Sequence, residues 1–279
     1  MKTLIEALWL LIKALIYAIV EGITEWLPVS STGHLIILER FLPLNFSPEF
    51  RELFLVVIQL AAIFAVVFLF WSKLWPFQST RNGQSFIRED VFRLWFKILV
   101  ASIPAGIFGV LLSDWVFANL YGTLTVAIML IVIALALWAV ELKRPQVRVE
   151  RSSELTYGIA VLIGIAQIVA AALPGTSRSG ICILAGLLLG LSRPLAAEFS
   201  FFMAIPAMAG ASLLEIVKLK YSPSMDELIL LVFTSLASFL VSLLAIERLL
   251  AYIRKNSFKP FAIYRLIVGF VLLGILAIS

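Results

Sequence analysis

Nineteen consecutive residues, Leu53 to Trp71, carry no charge. As a helix rising about 1.5 Å per residue they reach roughly 28 Å, close to the hydrocarbon thickness of a bilayer. Five further segments are comparable, near 94–112, 123–141, 199–217, 228–246 and 261–279. Soluble domains carry about a quarter charged residues. This chain of 279 residues carries 14%, is 62% hydrophobic and has a mean hydropathy of +1.07. Only lipid solvates such a surface, so the sequence predicts an all-α polytopic membrane protein, one integral membrane domain over 1–279 with six transmembrane helices. The net charge of +5 is not gathered into a basic domain, which argues against a nucleic-acid partner. The first twenty residues are apolar but contain Glu6 and Lys13 and run straight into a polar motif, so they are read as mature protein. The single cysteine, Cys182, lies in an apolar run and reads as a packing residue.

Two apolar regions, 3–42 and 155–193, are interrupted by polar turns at Pro28–His34 and Pro174–Gly180. Backbone that is not helical survives at membrane depth only where protein or a water-filled cavity satisfies it. The connections 72–93 (Lys73, Arg81, Arg88, Arg93), 142–154 (Lys143, Arg144, Arg148, Arg151) and 247–260 (Arg248, Arg254, Lys255, Lys259) are basic and should be cytoplasmic, whereas 113–122 carries only Asp114 and should face outward. Counting spans from these loops makes 155–198 leave and return to one face. Its second arm, Ile181–Ser192, is too short to cross. The expectation is two re-entrant helix-loop-helix hairpins, the first entering from outside. At an offset of 146, Leu27-Pro28 aligns with Leu173-Pro174, Ser30-Ser31 with Thr176-Ser177, and Glu21 with Gln167. With opposite entry directions this suggests inverted repeats, about 1–141 and 142–279, whose broken helices meet near the midplane. Lys97, near the end of its span, can snorkel. Arg265 needs a polar partner or an interfacial position.

Glu21 and Glu25 are four apart on one helix face. Two carboxylates in apolar sequence are costly to bury together, so they call for a divalent cation, a shared proton or a basic partner. Ser30, Ser31 and Thr32 precede the next helix, whose N-terminus they can cap or arm for an anion. His34 is the only histidine. It can serve as acid, base or nucleophile, or merely hold a serine. In the second turn Arg178 is a permanent charge in an apolar hairpin, with a fork that suits phosphate oxygens; an ion pair with Glu21 or Glu25 would also satisfy it. Two acids, a hydroxyl cluster, one imidazole, one arginine and two helix N-termini suit phosphoryl transfer, with a lipid as substrate.

The stretches Glu21-Gly-Ile-Thr-Glu25-Trp-Leu-Pro28-Val-Ser30-Ser31-Thr32-Gly33-His34 and Pro174-Gly-Thr-Ser177-Arg178-Ser179-Gly180, together with Glu198–Pro206 and Pro260–Arg265, resemble the undecaprenyl-diphosphate phosphatases of the bacitracin-resistance type. The resemblance covers nearly the whole chain. It implies hydrolysis of undecaprenyl diphosphate to the monophosphate and inorganic phosphate, recycling the carrier for peptidoglycan in the bacterial inner membrane, with the active site open to the periplasmic face. It implies a divalent cation, Mg or Ca, with Glu21 and Glu25 binding it or managing protons. Carried over by motif, Ser31 or His34 is nucleophile or base, Arg178 grips the diphosphate, and Ser30, Thr32, Thr176, Ser177 and Ser179 give polar support. Direct attack by water stays open, as does a homodimer. A lipid-phosphate transporter would use the same anion-binding groups without acid–base chemistry. A phosphatidic-acid-type phosphatase would need two histidines and is set aside.

Overall fold

Backbone amides buried in hydrocarbon must find partners within the segment itself, and helices do this throughout. The computed structural model describes residues 2–78, 86–143, 145–219 and 221–278; Arg81, Arg144 and Ser279, all within segments discussed above, lie outside them. Eleven helices occur among the described residues: α1 Lys2–Thr24, α2 Ser31–Phe41, α3 Pro48–Leu69, α4 Trp71–Leu74, α5 Glu89–Leu120, α6 Thr123–Lys143, α7 Tyr157–Ala172, α8 Arg178–Leu188, α9 Arg193–Lys218, α10 Met225–Ile253 and α11 Lys259–Ile278. Their starts are legible chemistry. The hydroxyls of Ser47, Thr156, Ser192 and Ser224 each accept from the backbone N–H three residues on, satisfying a donor that a helix leaves free.

Each of the six expected spans lies within a helix long and apolar enough to cross a bilayer, apart from the terminal residues of the first and last. A seventh such helix is Ile5–Thr24 of α1, which the sequence assigned to a hairpin arm. α7 and α8 are shorter apolar helices of 16 and 11 residues. Both broken regions fold back on themselves. Lys13 Nζ donates to the Pro43 carbonyl at 3.0 Å and the Tyr17 hydroxyl reaches the Leu42 carbonyl at 3.3 Å, so the end of α2 returns alongside α1. The Arg148 and Val149 amides donate to Gly190 O, and the Ser192 amide to Val149 O, bringing the chain after α8 back to the chain before α7.

α1 packs on α10 as α7 packs on α5; α3 packs on α10 as α9 packs on α5; α2 meets α11 as α8 meets α6. The α5–α7 approach is unusually close, because a Cβ on Gly164 would run into the Ala101 carbonyl of α5. Gly164→Val should therefore cost about 3 kcal/mol of stability. The same change at Gly274, where a Cβ meets nothing within 4 Å, should cost little. Thermal melting of the two variants in detergent compares them directly.

Lys97 behaves as expected: its stem is buried and its ammonium reaches the Ser152 carbonyl at 3.4 Å. Near the basic loops, the buried carboxylate of Glu141 joins three elements. It receives Arg193 Nε at 2.8 Å from α9 and the Phe258 amide at 2.9 Å, just before α11. Cys182 is fully buried, with its thiol toward Gln167 Oε1 at 3.6 Å.

Candidate active site

α2 and α8 begin alike. The N-cap residues Ser30 and Ser177 have φ of 74° and 68°, a left-handed region that costs a non-glycine residue about 1–3 kcal/mol and concentrates at functional sites. Each caps its helix by accepting from a glycine amide three residues on, Gly33 at 3.4 Å and Gly180 at 3.1 Å. Ser30 thus corresponds to Ser177, not Thr176, because the second turn contains one residue more than the first. The sequence alignment at a single offset holds before the turns and slips by one after them. Gly175, with φ +91°, is that turn's tightest point; a Cβ there would overlap Val126 backbone of α6.

The two turns are drawn together by Arg265. Its side chain is fully buried. The guanidinium donates to the carbonyls of Pro28 in the first turn (3.2 Å), Gly175 and Thr176 in the second (3.1 and 3.0 Å), and Met129 and Leu130 of α6 (3.3 and 3.2 Å). The partner that Arg265 needed is thus a cage of carbonyls.

Across the junction, Arg178 Nη2 donates to Glu25 Oε1 at 2.9 Å. Nη1 donates to the Ser200 carbonyl at 2.9 Å, and the guanidinium lies 5.6 Å from the Trp26 ring centre. Of the two partners open to Arg178, the structure selects Glu25. The other Glu25 oxygen, Oε2, accepts from the Ser31 hydroxyl at 2.8 Å. One carboxylate therefore orients both the arginine and a hydroxyl at a helix start. Glu21 is 2% exposed, and its Oε2 has no hydrogen-bond partner. The unmatched acceptor beside a second carboxylate calls for a cation, a shared proton or another donor.

A cavity of about 620 Å³ is lined by Glu25, Ser30, Ser31, Thr32, Ser177 and Arg178, with Gln59 and Gln167. Glu21 lines a neighbouring cavity of about 570 Å³ that also touches Ser31 and Thr32. Thr176 and Ser179 line neither. The Thr176 hydroxyl is turned to Leu173 O at 2.6 Å, and that of Ser179 to Leu27 O at 3.1 Å, so they brace the turns rather than face the space. His34 also lies off both cavities. Its Nδ1 meets the Ser30 carbonyl at 2.8 Å and must carry a proton, since a carbonyl only accepts; in the neutral ring its Nε2, 2.7 Å from the Tyr264 hydroxyl, is then the acceptor. Both nitrogens are engaged, and the imidazole ties α2 to α11.

Sequence reasoning missed Gln59, Ser200 and Tyr264 as site neighbours. Gln59 was findable: it is the sole polar residue in the uncharged run 53–71. No group of three or more His, Cys, Asp or Glu suited to a metal occurs among the described residues. The carboxylates fit a looser mode, in which one or two acids hold a Mg-like ion and substrate phosphates and water complete it.

Residues 14–271 match the family model described as Bacitracin resistance protein BacA. The chain is 49% identical over 265 residues to the undecaprenyl-diphosphatase of Desulfitobacterium hafniense, covering 94% of each protein. It is 43% identical over 270 residues to that of Enterococcus faecalis, covering 96% of this chain and 98% of the relative. It is 48% identical over 264 residues to that of Acetivibrio thermocellus, covering 94% and 96%. On that match, and with the two broken turns joined by Arg265 beside the cavities, the chain belongs to the bacitracin resistance protein BacA family.

Proposed function

We propose that this chain is a membrane-embedded hydrolase that converts undecaprenyl diphosphate to undecaprenyl phosphate and inorganic phosphate. It would thereby recycle the lipid carrier for cell-wall synthesis and confer bacitracin resistance. The observation that carries the reading is Glu25, whose two oxygens hold the Arg178 guanidinium and the Ser31 hydroxyl in one cavity inside the bundle. Arg178 supplies charge for phosphate oxygens, and the starts of α2 and α8 add backbone N–H groups.

Ser31 is the proposed nucleophile. Its oxygen bonds to the terminal phosphorus, Glu25 takes its proton, and the bridging P–O bond breaks to release the lipid monophosphate. Water then cleaves the phosphoserine, giving inorganic phosphate and restoring the hydroxyl. The family supports a divalent cation, Mg or Ca, held by Glu21 and Glu25; when bound, it would neutralise charge on the diphosphate. The unpartnered Glu21 oxygen supports this placement. Chelation with EDTA should reduce turnover at least about 100-fold, restored by Mg or Ca, and Glu21→Gln should raise the metal concentration needed for half-maximal rate. Rapid quenching with labelled substrate should trap phosphate on Ser31. A label on His34, or a complete absence of label, would replace Ser31 with histidine or water as the attacking group.

The setting follows from the loops. The linings of both cavities reach the end of the bundle that carries the 121–122 turn and the end of α9, with Tyr121 and Thr123 in one and Glu215 in the other. The basic connections lie at the other end. By the charge rule the site faces outward, the periplasmic side of a bacterial inner membrane. Two inverted repeats, about 1–141 and 142–279, with re-entrant α1–α2 and α7–α8 hairpins, are supported by the exchanged helix pairings and the matching caps at Ser30 and Ser177.

A further inference from the structure

The two cavities that meet at the site differ in chemistry. The chamber holding Glu25 and Arg178 has a far wall of small residues from α5 and α9, lying beyond the internal prolines Pro104 and Pro206: Gly106, Gly109, Ala207 and Gly210 among them. A Cβ at any of those three glycines would meet nothing within 4 Å, so the wall is thin and open. The second chamber shares Ser31, Thr32 and Gln59 with the first. Its own polar lining includes Glu21, Tyr17, Glu39, Arg40 and Arg51, with Tyr121 and Thr123. Glu21 brings to it a carboxylate oxygen that is buried and unpartnered.

We propose that the chambers divide the traffic of the reaction: prenyl diphosphate enters, and lipid monophosphate leaves, by the glycine-walled chamber, whereas inorganic phosphate leaves by the chamber of Arg40 and Arg51. The inference rests on the phosphatase reading above. A prenyl tail has to stay in contact with the bilayer, and a thin wall of glycine and alanine between two helices gives it room. Inorganic phosphate cannot cross hydrocarbon and needs polar steps to water. The hydroxyls of Ser31 and Thr32 begin such a path, and Arg40 and Arg51, both exposed, end it. A release step must bind weakly, and Arg51 is already engaged by Glu39 Oε1 at 3.3 Å, while the Tyr17 hydroxyl donates to Glu39 Oε2 at 3.0 Å.

Product inhibition of the full-length protein in detergent tests this. Losing one exposed charge contact, Arg51→Gln should raise Ki for inorganic phosphate about fivefold while KM for undecaprenyl diphosphate stays within about twofold. Gly210→Leu should do the reverse: KM rises and inhibition by undecaprenyl phosphate weakens, with Ki for inorganic phosphate unchanged. Unchanged phosphate inhibition in Arg51→Gln overturns the proposal. So does an Arg51→Gln effect on undecaprenyl phosphate alone, which would assign the chamber to a lipid headgroup. If the wild type has no turnover, the phosphatase reading fails. Equilibrium binding of inorganic phosphate to wild type and Arg51→Gln then decides the chamber on its own, equal affinities counting against it.

Discussion

Arg178→Ala lowers kcat/KM for undecaprenyl diphosphate by about 10²–10³-fold, the loss typical of removing a preorganised donor to a developing oxyanion. The guanidinium is held in plane by Ser200 O and Glu25, each at 2.9 Å, and its Nε–H has no partner. A lysine keeps the charge but not the fork, so Arg178→Lys recovers little of the rate. Stability falls as well, because the Glu25 side chain is only 8% exposed and breaking a buried pair costs about 3–5 kcal/mol. The double variant Glu25→Gln/Arg178→Ala separates the two effects. It removes the stranded charge and should regain much of the lost melting temperature, yet none of the activity. Steady-state kinetics beside thermal melting of the three variants checks this, and an active Arg178→Ala would remove arginine from the chemistry.

Arg265→Met should be the most damaging substitution to the fold. The guanidinium answers carbonyls in both broken turns, at Pro28, Gly175 and Thr176, where no helix supplies an alternative donor. An unsatisfied buried acceptor costs about 1–3 kcal/mol, so three of them approach the whole stability of a typical domain. The variant should purify poorly and melt far below wild type. Arg265→Lys should fall between, since an ammonium cannot reach all the acceptors from one position. A variant that melts like wild type would mean that the turns hold without the clamp.

Much of this was legible from charge-free runs and from the expense of burying ions. The run 53–71 marked α3, and the isolated charges Glu21, Glu25 and Arg178 marked the site because nothing but partnership explains them in apolar sequence. Hydropathy alone misplaced ends. α5 continues to Leu120, past Asp114, because a charge on an exposed face does not interrupt backbone hydrogen bonding. The seventh long helix, α1, was assigned to a hairpin arm because the polar turn at Pro28–His34 interrupts the apolar region 3–42, although its own apolar stretch, Ile5–Thr24, is long enough to cross. The choice of Glu25 over Glu21 for Arg178 was invisible, since 153 positions separate the pair and only the folded turns set the distance. The one-residue difference between the turns was hidden too, as it shows only in the cap geometry of Ser30 and Ser177.

The most direct test is the initial rate of phosphate release from undecaprenyl diphosphate by the purified protein in detergent, with Mg or Ca added. The phosphatase mechanism requires release of one inorganic phosphate per diphosphate consumed, with undecaprenyl phosphate as the matching product. A folded sample that binds the lipid yet releases no phosphate would contradict it and leave the same cavities to a lipid-phosphate transporter.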